Sequence, residues 1–276
     1  MQCMEIVGGN EPIDAAFSSP GIDVFVRSTP HVGESQGGDV YFVSLCGAGF
    51  VSRLLVADVS GHGERVASVA QALRVQMRKS IGTPDQRRLA RLINHAFASD
   101  AGRGHFVTAV IATYFAPTHQ MIVCNAGHPP PLWWSASDKK WRPLRSDAPR
   151  TITGGKGPRN LPFGVIEPTE YMQFAIGLEE GDLVLIYTDA LIEARNEAGE
   201  FIGVEGLQEA VESLNAQSPA EVLDELGRAL LSRGFTPPTD DDATVVLIHS
   251  NGADPPKPTL ADRLRITAKM LGLAKV

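Results

Sequence analysis

Ala57-Asp58-Val59-Ser60-Gly61-His62-Gly63 is preceded by the strand-forming run Ser52 to Ala57 and followed, from Glu64, by a helical pattern. The strand therefore delivers a carboxylate into a glycine-rich turn. An acid at a strand end, among small residues that let the backbone approach a ligand closely, suits a metal ion better than a packed core. Acidic turns of the same character recur at Gln36-Gly37-Gly38-Asp39, Tyr187-Thr188-Asp189-Ala190 and Asp240-Asp241-Asp242-Ala243-Thr244. One such turn is an ordinary loop; four from distant parts of the chain are a pattern.

Working outward, Ile22 to Ser28 alternates as a half-buried strand does, and Val40 to Leu45 is a second β-like run. Two strands joined by the short turn after Leu45 place Asp39 and Asp58 at one end of a hairpin. From Glu64, apolar residues at Val66, Val69, Ala70, Leu73 and Met77 follow the helical period. Thr83 as N-cap, Pro84 at the first helical position and Gln86 three residues past the cap predict a second helix. Phe106 to Phe115 and Gln120 to Cys124 read as a hairpin, and Gly127 to Gly164 as short strands with a long surface loop, most mobile at Thr151 to Asn160. Met172 to Ala175, Leu183 to Tyr187 and Thr244 to His249 predict strands. Helices are expected at Gly203 to Leu214 and from the capping box at Ser218 to about Ser232. Paired strands and paired helices favour an α+β fold with mostly antiparallel sheets.

The expected organisation is a loose lead-in over 1–20, a catalytic domain over 21–250, and a proline-rich linker with a basic helical tail over 251–276. With 276 residues, 43% hydrophobic, the chain can bury a full core. A net charge of −7 argues against a general nucleic-acid or anionic-membrane surface. Cys3, Cys46 and Cys124 are odd in number and widely spaced, which suggests neither a disulfide framework nor a zinc site. No apolar run approaches a membrane span, and the acidic N-terminus is the wrong charge pattern for a signal peptide; a cytoplasmic protein is expected.

Hard cations such as Mn2+ and Mg2+ prefer oxygen ligands, and a two-ion site needs several carboxylates to offset repulsion between the ions. Such a pair can hold a bridging hydroxide and brace phosphoryl oxygens during in-line attack. Ordered along the chain are Gly37-Gly38-Asp39, Ala57 to Gly63, Phe106-Val107-Thr108, Asn125-Ala126-Gly127-His128-Pro129-Pro130, Leu161-Pro162-Phe163-Gly164, Gly181-Asp182, Tyr187-Thr188-Asp189, Glu193-Ala194 and Asp241-Asp242-Ala243-Thr244. In that order, over roughly residues 20 to 250, they resemble the SpoIIE-like phosphatases, the bacterial branch of the metal-dependent type 2C serine/threonine protein phosphatases.

The resemblance implies a four-layer αββα sandwich, two antiparallel sheets flanked by helical pairs, with two Mn2+ or Mg2+ ions at one end. It implies that Asp58 bridges both ions, the carbonyl of Val59 completes one, Asp189 and Asp241 bind the second, and Asp39 ligates directly or through water. Asp58, Asp189 and Asp241 are then the catalytic residues. The substrate class it implies is a phosphoserine or phosphothreonine on a small regulatory protein, an anti-sigma-factor antagonist in a partner-switching circuit, with control by a further regulatory protein. The chain departs from the family pattern at Phe42 and Ala190, and at Phe115 and Ala116; a third metal is not expected. The rival reading is a catalytically weak phosphoprotein-binding module of the same fold. Asp242 is expected as a turn-capping neighbour, His128 as a packed turn residue, and Thr108 and Thr188 as hydrogen-bonding orienters of the acids.

Overall fold

The structure, a computed structural model, describes residues 3–46, 49–61, 64–98, 105–146, 151–153, 160–214, 218–238 and 241–254. In chain order the first half runs β1 (Cys3–Gly9), β2 (Ile13–Ser19), β3 (Ile22–Thr29), β4 (Val40–Cys46), β5 (Val51–Val59), α1 (Glu64–Ser80) and α2 (Gln86–Ala98). Next come β6 (Val107–Phe115), β7 (Gln120–Ala126), β8 (Leu132–Ser135), β9 (Lys140–Pro143), β10 (Thr151–Thr153) and β11 (Phe174–Gly177). The chain closes on β12 (Leu183–Tyr187), α3 (Gly203–Glu212), α4 (Val222–Ser232) and β13 (Ala243–Ser250).

Three separate apolar cores define four layers. Val24, Val43, Leu54, Val110, Trp133, Val184 and Val246 fill the space between the two sheets. Phe42, Leu55, Leu73, Met77, Leu89 and Ile93 join the first sheet to α1 and α2, and Leu185, Leu207, Leu226 and Leu247 join the second to α3 and α4. Each fully buried aliphatic side chain of this kind contributes about 1.5–3 kcal/mol. Both sheets are antiparallel: a seven-stranded one in the order β1-β4-β5-β6-β7-β11-β10 and a six-stranded one in the order β2-β3-β13-β12-β8-β9. The expected αββα sandwich is what forms.

From Cys3 to Ser19 the chain forms two strands rather than the loose lead-in over 1–20 that its Gly and Pro punctuation suggested. Met4 pairs with Leu45 and Gly9 with Tyr41 at the edge of the first sheet, while Ala15 pairs with Val26 in the second. The punctuation marks turns instead. Pro20-Gly21 closes the β2–β3 hairpin with Gly21 at φ 83°, the positive value a type II turn requires at that position. Asn10, between β1 and β2, exchanges bonds with Gly37: its side-chain Nδ2 donates to the Gly37 carbonyl at 2.8 Å and its carbonyl accepts the Gly37 N–H at 2.8 Å. The N-terminal strands thus buttress the first acidic turn.

Two helix starts also differ from expectation. The cap of α2 is Asp85, whose Oδ1 accepts the amides of Arg87 and Arg88 at 2.9 and 3.3 Å. Gln86 is spent elsewhere, buried and donating to the Ile111 carbonyl. At Ser218 no side-chain cap bond forms, and residues Pro219–Glu221 make a 3-10 turn that leads into α4. Asn251 belongs to the domain, since its amide donates to the Gly21 carbonyl at 3.1 Å. The proposed helical tail, His62 and most of 151–160 lie outside the described residues.

Candidate metal centre

Strand direction and register bring the acids together. Val40 pairs with Ala57, so Asp39 at the entrance of β4 and Asp58 near the exit of β5 share one end of the first sheet. Tyr187 pairs with Val245, so Asp189, just past β12, and Asp241, just before β13, share one end of the second. The Thr188–Asp39 hydrogen bond, 2.8 Å between Oγ1 and Oδ2, joins the two ends.

The acids act on one another's charge. Burial pushes Asp58 up to about 7, and Asp189, Asp241, Asp242 and Glu193 push it the same way. Asp39, only 2% exposed, is raised well above the ordinary range by burial and then by Asp58, with the hydroxyls of Thr244 and Thr188 acting in the opposite direction. Asp189 is raised by burial and by Glu193. Each influence named on Asp58 disfavours its charge. Such a set, half-buried and mutually repelling, gains most from a bound cation, which would invert the local balance.

The backbone leaves room for that cation. A Cβ on Gly38 would stand 3.1 Å from the Val59 carbonyl oxygen and 3.4 Å from Asp242 Oδ2, so only glycine lets these oxygens approach the turn. Val59 is held in place by its neighbours: Ser60 N–H donates to the Phe106 carbonyl at 2.9 Å, Phe106 N–H to Ser60 Oγ at 2.9 Å, and His105 Nδ1 sits 2.8 Å from the Ser60 carbonyl. Among the described residues no three His, Cys, Asp or Glu side chains close into a finished cage. The donor set fits hard ions that keep part of their water, as Mg2+ does.

Asp39, Asp58, Asp189 and Asp241 lie at the adjoining ends of the two sheets, and the Val59 carbonyl faces the Gly38 turn. Asp242 has the turn-capping place expected of it: Oδ1 accepts the His31 amide at 2.7 Å and Oδ2 accepts the Gly38 amide. His128 is buried, its Nδ1 2.7 Å from Thr108 Oγ1 and its amide donating to Asn125 Oδ1 at 2.8 Å. Burial pushes its imidazole down to about 4, against the backbone of Tyr187, so it stays neutral. Thr108 pairs with Asp58 across the sheet, yet its hydroxyl goes to His128 rather than to an acid. Phe42, where the family pattern carries an acid, is 1% exposed and packs toward α1, away from the carboxylates.

Sequence reasoning missed Glu193, quoted as part of a motif but given no role. The signal was its spacing. Glu193 N–H donates to the Asp189 carbonyl at 2.8 Å, closing one helical turn that returns the fourth residue to its starting acid. Ser60 and His105 were missed as well, and nothing local in their sequence marks them as braces of the Val59 turn.

Three comparisons bear on this arrangement. Phosphoserine phosphatase RsbU of Bacillus subtilis (strain 168) is 25% identical over 197 residues, covering 70% of this chain and 54% of RsbU. The chain therefore spans about half the length of that relative. The crystal structure of the RsbU and RsbW domains of Rv1364c from Mycobacterium tuberculosis superposes with a TM-score of 0.68 at 23% identity, over 92% of this chain and 68% of that one. RsbX in complex with magnesium gives a TM-score of 0.61 at 20% identity, over 86% of this chain and 99% of RsbX. These structural likenesses speak to the fold. The model of the Stage II sporulation protein E family matches residues 51–251, well over half of the sequence, and the chain belongs to the SpoIIE family.

Proposed function

We propose that this chain is a Mn2+- or Mg2+-dependent protein serine/threonine phosphatase whose two ions are held by Asp39, Asp58, the Val59 carbonyl, Asp189 and Asp241. The observation that carries the reading is the convergence of these carboxylates from both sheets, with Asp58 raised by burial and by four further acids. Acids that raise one another in this way are stabilised by a divalent cation, whose hard charge prefers oxygen ligands.

When bound, the ions supply Lewis acidity that neutralises phosphoryl charge and makes water nucleophilic near neutral pH. The chain's own groups do the rest. Asp58 would be shared by the two ions, and Asp189 and Asp241 would help to hold the second. Asp242, accepting the Gly38 and His31 amides, fixes the turn that carries Asp39. The leaving alkoxide takes its proton from water or from a nearby acid. No reactive-cysteine or serine-elbow motif is needed for this route.

The finer reading is a phosphoserine or phosphothreonine on a small regulatory protein, an anti-sigma-factor antagonist in a partner-switching pathway of the cytoplasm. RsbU, a phosphoserine phosphatase by name, supports it. Among the described residues no helix is long and apolar enough to cross a membrane. Hydrolysis of a phosphoserine peptide and of p-nitrophenyl phosphate, with Mn2+ and after chelation, tests the activity. Turnover that appears only with metal supports it; a folded protein that turns over neither substrate at any Mn2+ concentration overturns it.

A further inference from the structure

Asp39 is the most enclosed of the acids, and a buried carboxylate survives only among donors. Those donors come from the opposite sheet. Thr188 Oγ1 donates to Asp39 Oδ2 at 2.8 Å, and the same oxygen accepts the Thr244 amide at 2.9 Å. Thr188 N–H returns a bond to the Thr244 carbonyl at 3.0 Å. With its oxygen already serving an amide, the single hydroxyl proton of Thr188 is directed to the carboxylate. Behind it, Thr244 Oγ1 lies 2.7 Å from Ser28 Oγ, its direct partner across the β3–β13 pair. Thr188 and Thr244 are 0% exposed and Ser28 is 4% exposed. Burial of this degree shields these bonds from bulk solvent.

We propose that Thr188, Thr244 and Ser28 are positioning residues for the metal, a buried hydroxyl clamp that fixes Asp39 of one sheet against three strands of the other. The proposal rests on the metal-dependent reading above. Asp39 accepts from the Thr188 hydroxyl, and the Thr244 hydroxyl, held by Ser28, acts on the same carboxylate, so the two together give Asp39 one orientation. Because the clamp spans the gap between the sheets, ion binding and sheet packing at this end share the same bonds. Loosening the clamp therefore weakens the ion, and the ion tightens the clamp. Partners in this outer position typically change metal affinity 10- to 100-fold.

The test is Mn2+ affinity measured by calorimetry without substrate, beside melting of the metal-free protein. Thr188→Val, which keeps the shape and removes the donor, is expected to weaken Mn2+ by about tenfold or more, whereas Thr188→Ser stays within about twofold of the parent. Ser28→Ala, one hydroxyl further out, is expected to weaken it by about threefold. A purely structural role would lower the melting temperature of the metal-free protein in Thr188→Val and leave affinity alone, which overturns the proposal. Should Thr188→Val fail to fold, Ser28→Ala decides: affinity equal to the parent overturns the clamp. A parent protein that binds no Mn2+ at all overturns the metal-dependent reading and the clamp with it, an outcome distinct from either.

Discussion

The two ends of the sandwich bury polar groups in opposite ways. At the end away from the acids, Asp23 is disfavoured by burial, but hydrogen bonds from Asn251, Ser18 and His249 outweigh it and hold the carboxyl below its ordinary range. At the same end of the first sheet, on its helix side, Arg53 is 1% exposed and donates to Thr113 Oγ1 and to the Ile81 and Thr83 carbonyls at 3.0, 2.7 and 2.8 Å. Each buried charge there meets a partner. At the other end Asp39, Asp58 and Asp189 meet one another and are pushed up. The same fold thus contains a settled polar end and a strained one, and strain of this kind is expected where a ligand completes the balance.

The largest contrast should come from charge removal at each end. Asp58→Asn is expected to lower phosphatase turnover by about a thousandfold or more, since ion-derived stabilisation of several kcal/mol is lost. It should also raise the melting temperature of the metal-free protein. Asp23→Asn should do the reverse, lowering the melting temperature through the lost hydrogen bonds and leaving turnover within about twofold, because Asp23 lies at the end of the sandwich away from the acids. Paired melting and turnover curves check both; an Asp23→Asn variant that loses turnover would break the comparison.

Titration gives the second contrast. Asp58 keeps its proton to about 7 in the folded, metal-free protein, whereas an unfolded Asp loses it near its ordinary value. Its contribution to stability is therefore full at low pH and is lost as pH rises from about 4 to about 7. Asp23, with a lowered folded value, contributes above the ordinary Asp range and loses that contribution as pH falls through it. Thermal melts of chelated protein, the parent against Asp58→Asn and Asp23→Asn, are expected to show slopes of opposite sign. Saturating Mn2+ should abolish the Asp58 slope.

Two smaller effects sharpen the picture of the strained end. Gly38→Ala places a Cβ 2.6 Å from Val66 Cγ1 and 3.1 Å from the Val59 carbonyl, so a loss of about 1–3 kcal/mol in denaturant melts is expected, with weaker Mn2+ binding. Glu193→Gln removes one of the acids acting on Asp58 and Asp189. Carboxyl titration by NMR in the chelated protein should show Asp58 moving down, with only a modest change in turnover.

What was legible in the sequence followed the same division. The alternating strand β3, the continuous apolar run of β12 and the four acidic turns could be read because their residues declare their own surroundings. The β1 and β2 edges could not, since half-exposed strands such as Ile13–Ser19 bury too little to stand out from a polar lead-in. Thr188 was legible as an orienter of the acids from its local position, but its partner Asp39, 149 residues away, was not. Ser28 was not: it meets Thr244 across 216 residues of chain, and only the register of β3 on β13 joins them. Gln86 misled for a related reason, because a residue that fits a capping box locally is used by β6 tertiary contacts instead.

The central claim is that the strained end is completed by divalent ions. Counting Mn2+ bound per chain by calorimetry and electron paramagnetic resonance, in the parent protein and in Asp58→Asn, tests it most directly. The account predicts two ions per chain in the parent and loss of both high-affinity sites in the variant. Equal Mn2+ binding by the two proteins, or none by either while both remain folded, would contradict it.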